Sequence, residues 1–444
     1  MKELKAGFAR IDITPQLGVD IVGYMNVRIA DGILDPLLAT AVAVSDGDTT
    51  AIIMSLDLIG MCQEGTAMVK DIIHKETGVS KDAIYITCTH THLGPAVSKG
   101  YACWSEDVAV IIYKKLGGLA KMAIDDLKPA EMFANAANTP VDISFIRRYK
   151  MKDGSTKTNP NGLSDQIDHP IGDSDRRVGL VYFKRENAPE IALINFQTHA
   201  DTIGGEKFSA DFPKFVRDTY EGAIENSLCM FINGAEGDTN HFNFVKILPY
   251  RPKGYEMAKH MGRTIAGTAI SVRALAQKVE GDTICTCNRI VKTEHNKAKN
   301  PEDVERSKMI VKLYEEGRIA EYTDAEGMEL VTILAEARRI VNMSTETDIK
   351  ELHISGLSIG NFALIGFPGE PFTEIGLKTK EASKFDMTFV SCCTNGYEGY
   401  YPVESAYAEG GYEAKTSRYK AGIAETLINT ATEMLDTLYN EANK

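Results

Sequence analysis

The hydrophobic positions of this chain form short β-rich runs that alternate with longer stretches of helical spacing. Residues 39–44 and 50–59 are two such runs, and the Ser-Asp-Gly-Asp sequence at 45–48 between them is typical of a hairpin turn. Val69, Ile72 and Ile73 then follow the helical period. Since the two patterns interleave along the whole chain, we predict an α/β fold of mixed β-sheets with surrounding helices.

Residues 300–345 differ from the sequence around them. Asn300 is a good N-cap and Pro301 suits the first helical turn, and two charged helices follow, the second starting near Asp324. We interpret this stretch as a helical hairpin inserted into one large domain that spans residues 1–444. Further strands are predicted at 83–88, 133–137, 143–151, 177–185, 190–197, 228–233, 353–359, 361–367 and 387–392, with a helix at about 105–126 and a final helix from Gly411 towards Leu438.

Composition excludes several classes of function. The 444 residues include 49 Lys and Arg against 62 Asp and Glu, and this net charge of −13 disfavours binding to nucleic acid or to an anionic membrane surface. No apolar run approaches the roughly 18 residues of a membrane-spanning helix, and the N-terminus lacks the apolar run of a signal peptide. The eight cysteines form no disulfide framework, so we expect a cytoplasmic protein with reduced thiols.

His90 and His92 directly follow the predicted strand 83–88. Residues two apart on a strand point to one face, so both imidazoles are expected to converge on one site. Three interpretations stay open: two metal ligands, one ligand with a catalytic neighbour, or an unrelated polar strand end. The position favours a site, because active sites of α/β proteins often lie where a buried strand gives way to a loop.

The same arrangement recurs twice further along the chain. His199 and Asp201 follow the run 190–197, and Glu370 follows the run 361–367. A single histidine at a strand end is more often structural, and Glu370 would equally serve at the N-terminus of a helix. The glycine-rich segment 395–401 then holds three tyrosines, a density that favours a pocket wall.

Taken together, four motifs resemble the neutral/alkaline (non-lysosomal) ceramidase family. They are the Thr-His-Thr-His-Leu-Gly-Pro sequence at 89–95, the His199 segment, Pro-Gly-Glu at 368–370, and Asn-x-Tyr-x-x-Tyr at 395–400 followed by Tyr-Glu at 412–413. The resemblance covers nearly the whole chain and implies the N-terminal catalytic domain of that family. Its members hydrolyse the amide of N-acylsphingosines with one active-site zinc.

The resemblance also implies roles for individual residues. The zinc ligands would be His90, His199, Glu370 and Tyr400, a set of nitrogen and oxygen donors that suits Zn²⁺. The catalytic groups would be His92, Arg147 and Tyr412, with Arg148 as the competing register for the arginine. Candidates for substrate contact are Asp201, Ser209, Asp211, Tyr397 and Arg148, although the first three would equally serve as ordinary loop or cap residues.

Two departures from the family modify these expectations. Family enzymes that act on ceramide are longer and carry a β-sandwich domain after the catalytic one, so this chain looks like a short bacterial-type homologue. The Gly-Asp motif that holds a serine in the family reads Gly-Asp-Thr-Asn here, with Thr239 and Asn240. We therefore expect a metal-activated water as the nucleophile, and a small or polar soluble amide rather than ceramide.

The leading hypothesis is a zinc-dependent amidohydrolase with a small-molecule substrate, no nucleic-acid partner and no stable membrane association. A metal-dependent esterase or lactonase is the alternative, and a non-catalytic metal-site binding protein is a third hypothesis. The acyl and amine parts of the substrate stay open, because they depend on the loops 98–104, 156–176 and 242–253. A homo-oligomer is also left open.

Overall fold

Two mixed β-sheets organise the chain in the computed structural model, which describes residues 3–98, 104–246 and 252–444. The strands are β1 (Lys5–Asp12), β2 (Asp20–Ile21), β3 (Arg28–Ile29), β4 (Gly32–Ile33), β5 (Leu38–Ser45), β6 (Thr50–Leu56), β7 (Ile84–Cys88), β8 (Lys128–Asn138), β9 (Phe145–Ile146), β10 (Arg148–Met151), β11 (Thr156–Thr158) and β12 (Ile167–Pro170). They continue with β13 (Arg177–Arg185), β14 (Glu190–Phe196), β15 (Lys207–Phe208), β16 (Ser227–Asn233), β17 (Thr239–Asn240), β18 (Gln277–Lys278), β19 (Ile284–Glu294), β20 (Ile349–Ile359), β21 (Phe362–Gly366), β22 (Glu370–Pro371), β23 (Met387–Ser391) and β24 (Tyr400–Tyr401).

The helices are α1 (Gln63–Thr77), α2 (Glu106–Asp125), α3 (Phe212–Ala223), α4 (Tyr255–Arg273), α5 (Pro301–Glu315), α6 (Gly327–Met343), α7 (Thr373–Glu381), α8 (Glu404–Glu409), α9 (Tyr412–Thr416) and α10 (Ile423–Ala442). The α/β class and the mixed sheets predicted from the sequence are therefore confirmed. In the described part of the chain, no helix combines the length and the apolar character needed to cross a bilayer.

The larger sheet has the order β16-β14-β13-β8-β1-β5-β6-β7, with β18 paired to β8. Its strands pair antiparallel except for β14 with β16 and β6 with β7. The two end strands, β16 and β7, nevertheless contact each other. Ser55 on β6 donates a hydrogen bond of 2.6 Å to the Phe231 carbonyl on β16, which ties the two ends together. The sheet thus curls until its opposite edges meet.

The smaller sheet has the order β19-β20-β21-β23 and is covered by α10. It joins the larger sheet through buried polar side chains. Asn195 on β14 donates to the Val390 carbonyl at 3.0 Å, and Thr87 on β7 donates to the Cys392 carbonyl at 2.8 Å. The candidate site lies at this junction, since the predicted ligands follow strands of both sheets.

The predicted helical insertion is present. Helices α5 and α6 pack against each other inside the connection between β19 and β20, and these two strands pair from Ile284 with Ile359 to Glu294 with Ile349. The hairpin of helices therefore interrupts a turn and leaves the sheet itself intact. The second helix begins at Gly327, slightly later than the start predicted near Asp324.

The prediction of one continuous final helix after Gly411 is wrong. The segment forms a short helix, α9, and then α10, which starts only at Ile423. Between them the fully buried Tyr419 forms a β-bridge with His295 and donates to the Glu398 carbonyl at 3.2 Å. The bridge uses backbone groups of Tyr419 that a continuous helix would pair within itself, so tertiary packing overrides the helical pattern here.

Cysteines in the described residues are free thiols, as the sequence predicts: Cys62, Cys88, Cys229, Cys285, Cys287, Cys392 and Cys393. Cys103 lies outside the described residues, as do parts of the loops 98–104 and 242–253 that were expected to shape the pocket.

Candidate metal centre and active site

His90 and His92 converge as predicted, but the strand alternation that predicted it is not the cause. Strand β7 ends at Cys88, and His90 adopts a left-handed backbone with φ of 67°. The two imidazoles meet because the chain turns immediately after the strand, which leaves their Nε2 atoms 3.4 Å apart. The backbone N–H of His92 donates to the Ala200 carbonyl at 3.2 Å and so joins this turn to the His199 segment.

The hydrogen bond made by His90 fixes its tautomer. Its Nδ1 lies 2.7 Å from the carbonyl oxygen of Ile59. A carbonyl only accepts, so Nδ1 carries the proton and the lone pair of Nε2 faces the site. The ring is almost fully removed from solvent, since the residue is only 1% exposed.

His199 follows β14 and presents its Nε2 in the same way. Its Nδ1 lies 3.2 Å from the Glu236 carbonyl and 2.5 Å from Oε2 of the same residue. Both of these atoms are acceptors, so the proton again sits on Nδ1. The two Nε2 atoms of His90 and His199 are 3.2 Å apart. Burial lowers the pKa of His199, and the nearby charge of Arg147 lowers it further, so the ring is neutral near pH 7.

Glu370 completes a triangle of unpaired acceptors. Its Oε2 lies 3.5 Å from Nε2 of His90 and 3.5 Å from Nε2 of His199, and it has no hydrogen-bond partner among the described residues. Its Oε1 accepts a hydrogen bond of 3.0 Å from the Tyr397 hydroxyl. Zinc bonds of about 2.0–2.1 Å in a tetrahedron place ligand atoms about 3.3 Å apart, which matches this spacing. The donor set therefore fits Zn²⁺, and His90, His199 and Glu370 form a group that could hold a metal ion.

Two further residues could contribute ligands to that ion. His92 shares a possible metal-binding group with His90 and His199, and Glu236 shares another with His90, His199 and Glu370. Burial lowers the pKa of His92, and within the described part of the chain its buried Nδ1 has no hydrogen-bond partner.

Tyr400 lies beside the triangle. Strands β22 and β24 pair in parallel, with Glu370 opposite Tyr400, so two of the predicted ligands are neighbours on adjacent strands. The Tyr400 ring stacks on His199 with a centroid distance of 6.5 Å and an interplanar angle of 16°. Its hydroxyl accepts a hydrogen bond of 3.1 Å from Arg147 Nη2. The predicted role of Tyr400 as a fourth ligand stays a prediction.

Arg147, and not Arg148, reaches this group. Arg147 is buried, and its Nη2 also donates to the Gly237 carbonyl at 2.9 Å, while its Nε pairs with Glu413 at 2.6 Å. Arg148 instead pairs with Glu409 at 2.9 Å. The Arg148 guanidinium holds the segment before α9 in place, and its predicted contact with substrate stays a prediction.

Tyr412 faces Tyr400 edge-on, with ring centroids 5.8 Å apart. Its backbone N–H donates to Thr158 Oγ1 at 3.1 Å, which fixes the start of α9. Burial, followed by the negative charge of Glu370, raises the pKa of Tyr412 to about 12. The phenol therefore keeps its proton at neutral pH and is available as a donor.

The other predicted contact residues occupy supporting positions. Asp211 is fully buried and caps α3, and it also accepts backbone N–H bonds from Thr202 and Ile203 at 2.9 and 2.8 Å. Ser209 is fully buried and donates to Asp35. Both side chains make hydrogen bonds inside the fold, as ordinary loop or cap residues do. Their contact with substrate stays a prediction.

Asp201 and Tyr24 define the outer side of the site. The Tyr24 hydroxyl donates to Asp201, and the Tyr24 ring lies 5.8 Å from the His92 ring. No sequence pattern pointed to Tyr24. Gly23 allows the segment that carries Tyr24 to approach His92 closely, because a Cβ at Gly23 would stand 2.6 Å from Nδ1 of His92.

A pocket of about 620 Å³ opens next to Tyr24. Six of its nine lining residues carry polar or charged side chains, and the lining residues are Tyr24, Asn26, Arg28, Asp31, Leu34, Gly204, Gly205, Glu206 and Lys207. Arg28 also donates to the His92 carbonyl at 2.7 Å, so the pocket wall and the histidine turn share one hydrogen bond.

Comparisons with known proteins agree with this architecture. Neither the models of protein families nor the curated proteins give a match. Among solved structures, the neutral ceramidase from Pseudomonas aeruginosa matches with a TM-score of 0.75 and 16% identity, over 99% of this chain and 75% of that chain. A ceramidase complexed with C2 matches with a TM-score of 0.73 and 16% identity, over 99% of this chain and 76% of that one. The resemblance predicted from the sequence is therefore confirmed as a shared fold.

Proposed function

We propose that this protein is a zinc-dependent hydrolase that cleaves the amide bond of a small, polar N-acylated substrate by means of a metal-activated water. The observation that carries the proposal is the triangle formed by Nε2 of His90, Nε2 of His199 and Oε2 of Glu370. Three lone pairs point at one another within 3.5 Å in a buried place. They repel unless a cation lies among them.

His90, His199, Glu370 and Tyr400 would hold the ion. Two imidazoles, a carboxylate and a phenol oxygen are ligands that zinc accepts. Bound zinc would supply a water molecule of lowered pKa and would polarise the carbonyl of the substrate.

The remaining chemistry falls to residues around the triangle. Tyr412 keeps its proton at neutral pH and can donate to the carbonyl oxygen as negative charge develops there. Arg147 adds a positive charge that Glu413 holds in place at 2.6 Å. His92 is neutral and lies 3.4 Å from His90, so it can take up a proton and return it to the leaving amine.

The pocket beside Tyr24 supports a polar substrate. Asp31, Glu206 and Lys207 are exposed there, and among the lining residues that the structure describes Leu34 is the one aliphatic side chain. A long acyl chain would gain little from such a lining, because burying charged groups against hydrocarbon is costly.

Metal analysis and substrate profiling test the proposal. We expect one zinc per purified chain, and loss of hydrolysis after chelation with recovery on adding zinc. A panel of N-acyl amino acids, matched esters and lactones should show higher kcat/KM for amides. Preference for esters or lactones would favour the alternative hydrolase, and a chain that binds no zinc would contradict the proposal altogether.

A further inference from the structure

We infer that Glu236 is a positioning residue that orients His199, strengthens it as a ligand and sets the charge of the centre; this rests on the proposed function. Glu236 follows β16 in a Gly-Ala-Glu-Gly sequence, and it is 0% exposed. No role was predicted for it from the sequence, although a polar residue after a buried strand is the same signal that singled out His199.

The geometry places Glu236 behind the histidine. Its Oε2 lies 2.5 Å from Nδ1 of His199, whereas Nε2 of the same ring faces Glu370. The two nitrogens of an imidazole point in diverging directions, so the carboxylate that contacts Nδ1 stands on the far side of the ring from Nε2. The same Nδ1 also lies 3.2 Å from the Glu236 carbonyl oxygen, its hydrogen-bond acceptor. A carboxylate at this position raises the basicity of the ligating nitrogen.

The two histidines differ in this respect. His90 donates its Nδ1–H to the neutral Ile59 carbonyl at 2.7 Å, whereas Nδ1 of His199 has a carboxylate oxygen at 2.5 Å in addition to the Glu236 carbonyl at 3.2 Å. His199 should therefore be the stronger of the two ligands.

Charge balance supports the same role. Glu236 and Glu370 are both buried, and the nearby Arg147 is already paired with Glu413 at 2.6 Å. The thiols of Cys392 and Cys393 lie within 4.8 Å of the Glu236 carboxylate, but S–H groups are weak donors. A divalent cation would compensate both carboxylates, one directly and one through the imidazole.

The segment around Glu236 has little room to move. A Cβ at Gly237 would lie 2.5 Å from the backbone oxygen of Glu370, so the turn that carries Glu236 packs directly against the strand that carries the carboxylate ligand. This contact holds the backbone segments that carry the two acids against each other.

Zinc affinity of the full-length variants tests the inference. In Glu236→Gln, a chelator-competition titration should show zinc binding weakened about 10- to 100-fold, because this is the usual effect of losing a carboxylate behind a metal-bound histidine. Glu236→Asp keeps the negative charge on a shorter side chain, so its zinc affinity should lie between that of wild type and that of Glu236→Gln. Glu190→Gln is the matched control, since Glu190 is a buried acid paired with Arg273 at the other end of β14, and its zinc affinity should stay unchanged.

The possible outcomes separate the two proposals. If the wild-type chain binds no zinc, the proposed function fails. If wild type and Glu236→Gln bind zinc with equal affinity, the function stands and the positioning role is overturned. X-ray absorption of zinc-loaded Glu236→Gln should show the same number of zinc ligands as wild type. Loss of one ligand would mean that Glu236 binds zinc directly, and this would also overturn the positioning role. If circular dichroism shows that Glu236→Gln is unfolded, Glu236→Asp takes over as the test variant. A zinc affinity of Glu236→Asp equal to that of wild type would then overturn the positioning role.

Discussion

The His/Glu triangle and the pocket beside Tyr24 lie next to each other but are built differently. His90, His199 and Glu370 are at most 2% exposed, and each is held by a second group: a carbonyl, a carboxylate or a hydroxyl. Glu206 and Lys207 in the pocket are exposed. The candidate metal centre is thus fixed by the core, whereas the pocket includes surface residues that can change without disturbing the fold. Under the proposed function, this pocket would select the substrate.

The largest effect should come from removing a ligand. His199→Ala deletes one corner of the triangle, so zinc content should fall below about a tenth of the wild-type value and hydrolysis by about 10³-fold or more. Elemental analysis and initial rates measure both. His169→Ala, a change at an exposed histidine, is the control and should behave as wild type. Full activity in His199→Ala would place the chemistry elsewhere.

Removing a hydrogen-bond donor that is not a metal ligand should lower the hydrolysis rate by a smaller factor. Tyr412→Phe deletes one hydroxyl whose proton is retained up to a pKa of about 12, and we expect kcat to fall about 100-fold while the zinc content is kept. Tyr439→Phe, at a ring that packs on the smaller sheet, serves as the control. Equal kcat in Tyr412→Phe and wild type would exclude the donor role.

His241 tests whether burial, with the nearby positive charge of Lys253, keeps an imidazole neutral. It is 2% exposed, neither of its nitrogens has a hydrogen-bond partner among the residues that the structure describes, and burial lowers its pKa to about 3. Below pH 6.5 the unfolded chain gains a proton that the folded chain cannot accept, so stability is lost as the pH falls. At about pH 5 this amounts to about 2 kcal/mol.

The variant His241→Gln should not show this loss of stability at low pH. Between about pH 7.5 and pH 5, wild type should lose about 2 kcal/mol more unfolding free energy than His241→Gln, measured by urea denaturation. The same substitution at the exposed His169 should leave the pH dependence as it is. Parallel curves for wild type and His241→Gln would mean that His241 is protonated in the folded state.

The smallest effect should come from the pocket. Lys207→Glu reverses one exposed charge, so the ratio of kcat/KM for cationic over anionic N-acyl substrates should rise about 5-fold with unchanged zinc content. Lys299→Glu makes the same change at an exposed lysine before α5 and should leave the ratio alone. An unchanged ratio in Lys207→Glu would remove this pocket from substrate selection.

Local patterns predicted the elements that depend on local sequence. The hairpin of β5 and β6, helix α2 and the insertion of α5 and α6 follow apolar periodicity and turn residues, and the structure has them close to the predicted bounds. The last helix failed because burial of Tyr419 depends on a bridge to His295, which is far away in the chain.

The candidate site was predicted from motifs, and in part for the wrong physical reason. Alternation on a strand does not bring His90 and His92 together, because the strand ends first. Tyr24 had no signal at all, since its place beside His92 depends on how two distant segments pack. Glu236 had a signal in its position after a buried strand, but only the 2.5 Å contact with His199 gives it a role.

The meeting of the two edges of the larger sheet governs when the candidate metal centre can form. His90 and His199 are 109 positions apart, and Glu370 follows strand β21 of the smaller sheet, much later in the chain. Contacts between such distant segments form late in folding. A chain still on the ribosome therefore lacks a complete set of candidate ligands, so the group that could hold an ion assembles only after strands of both sheets have been made and paired.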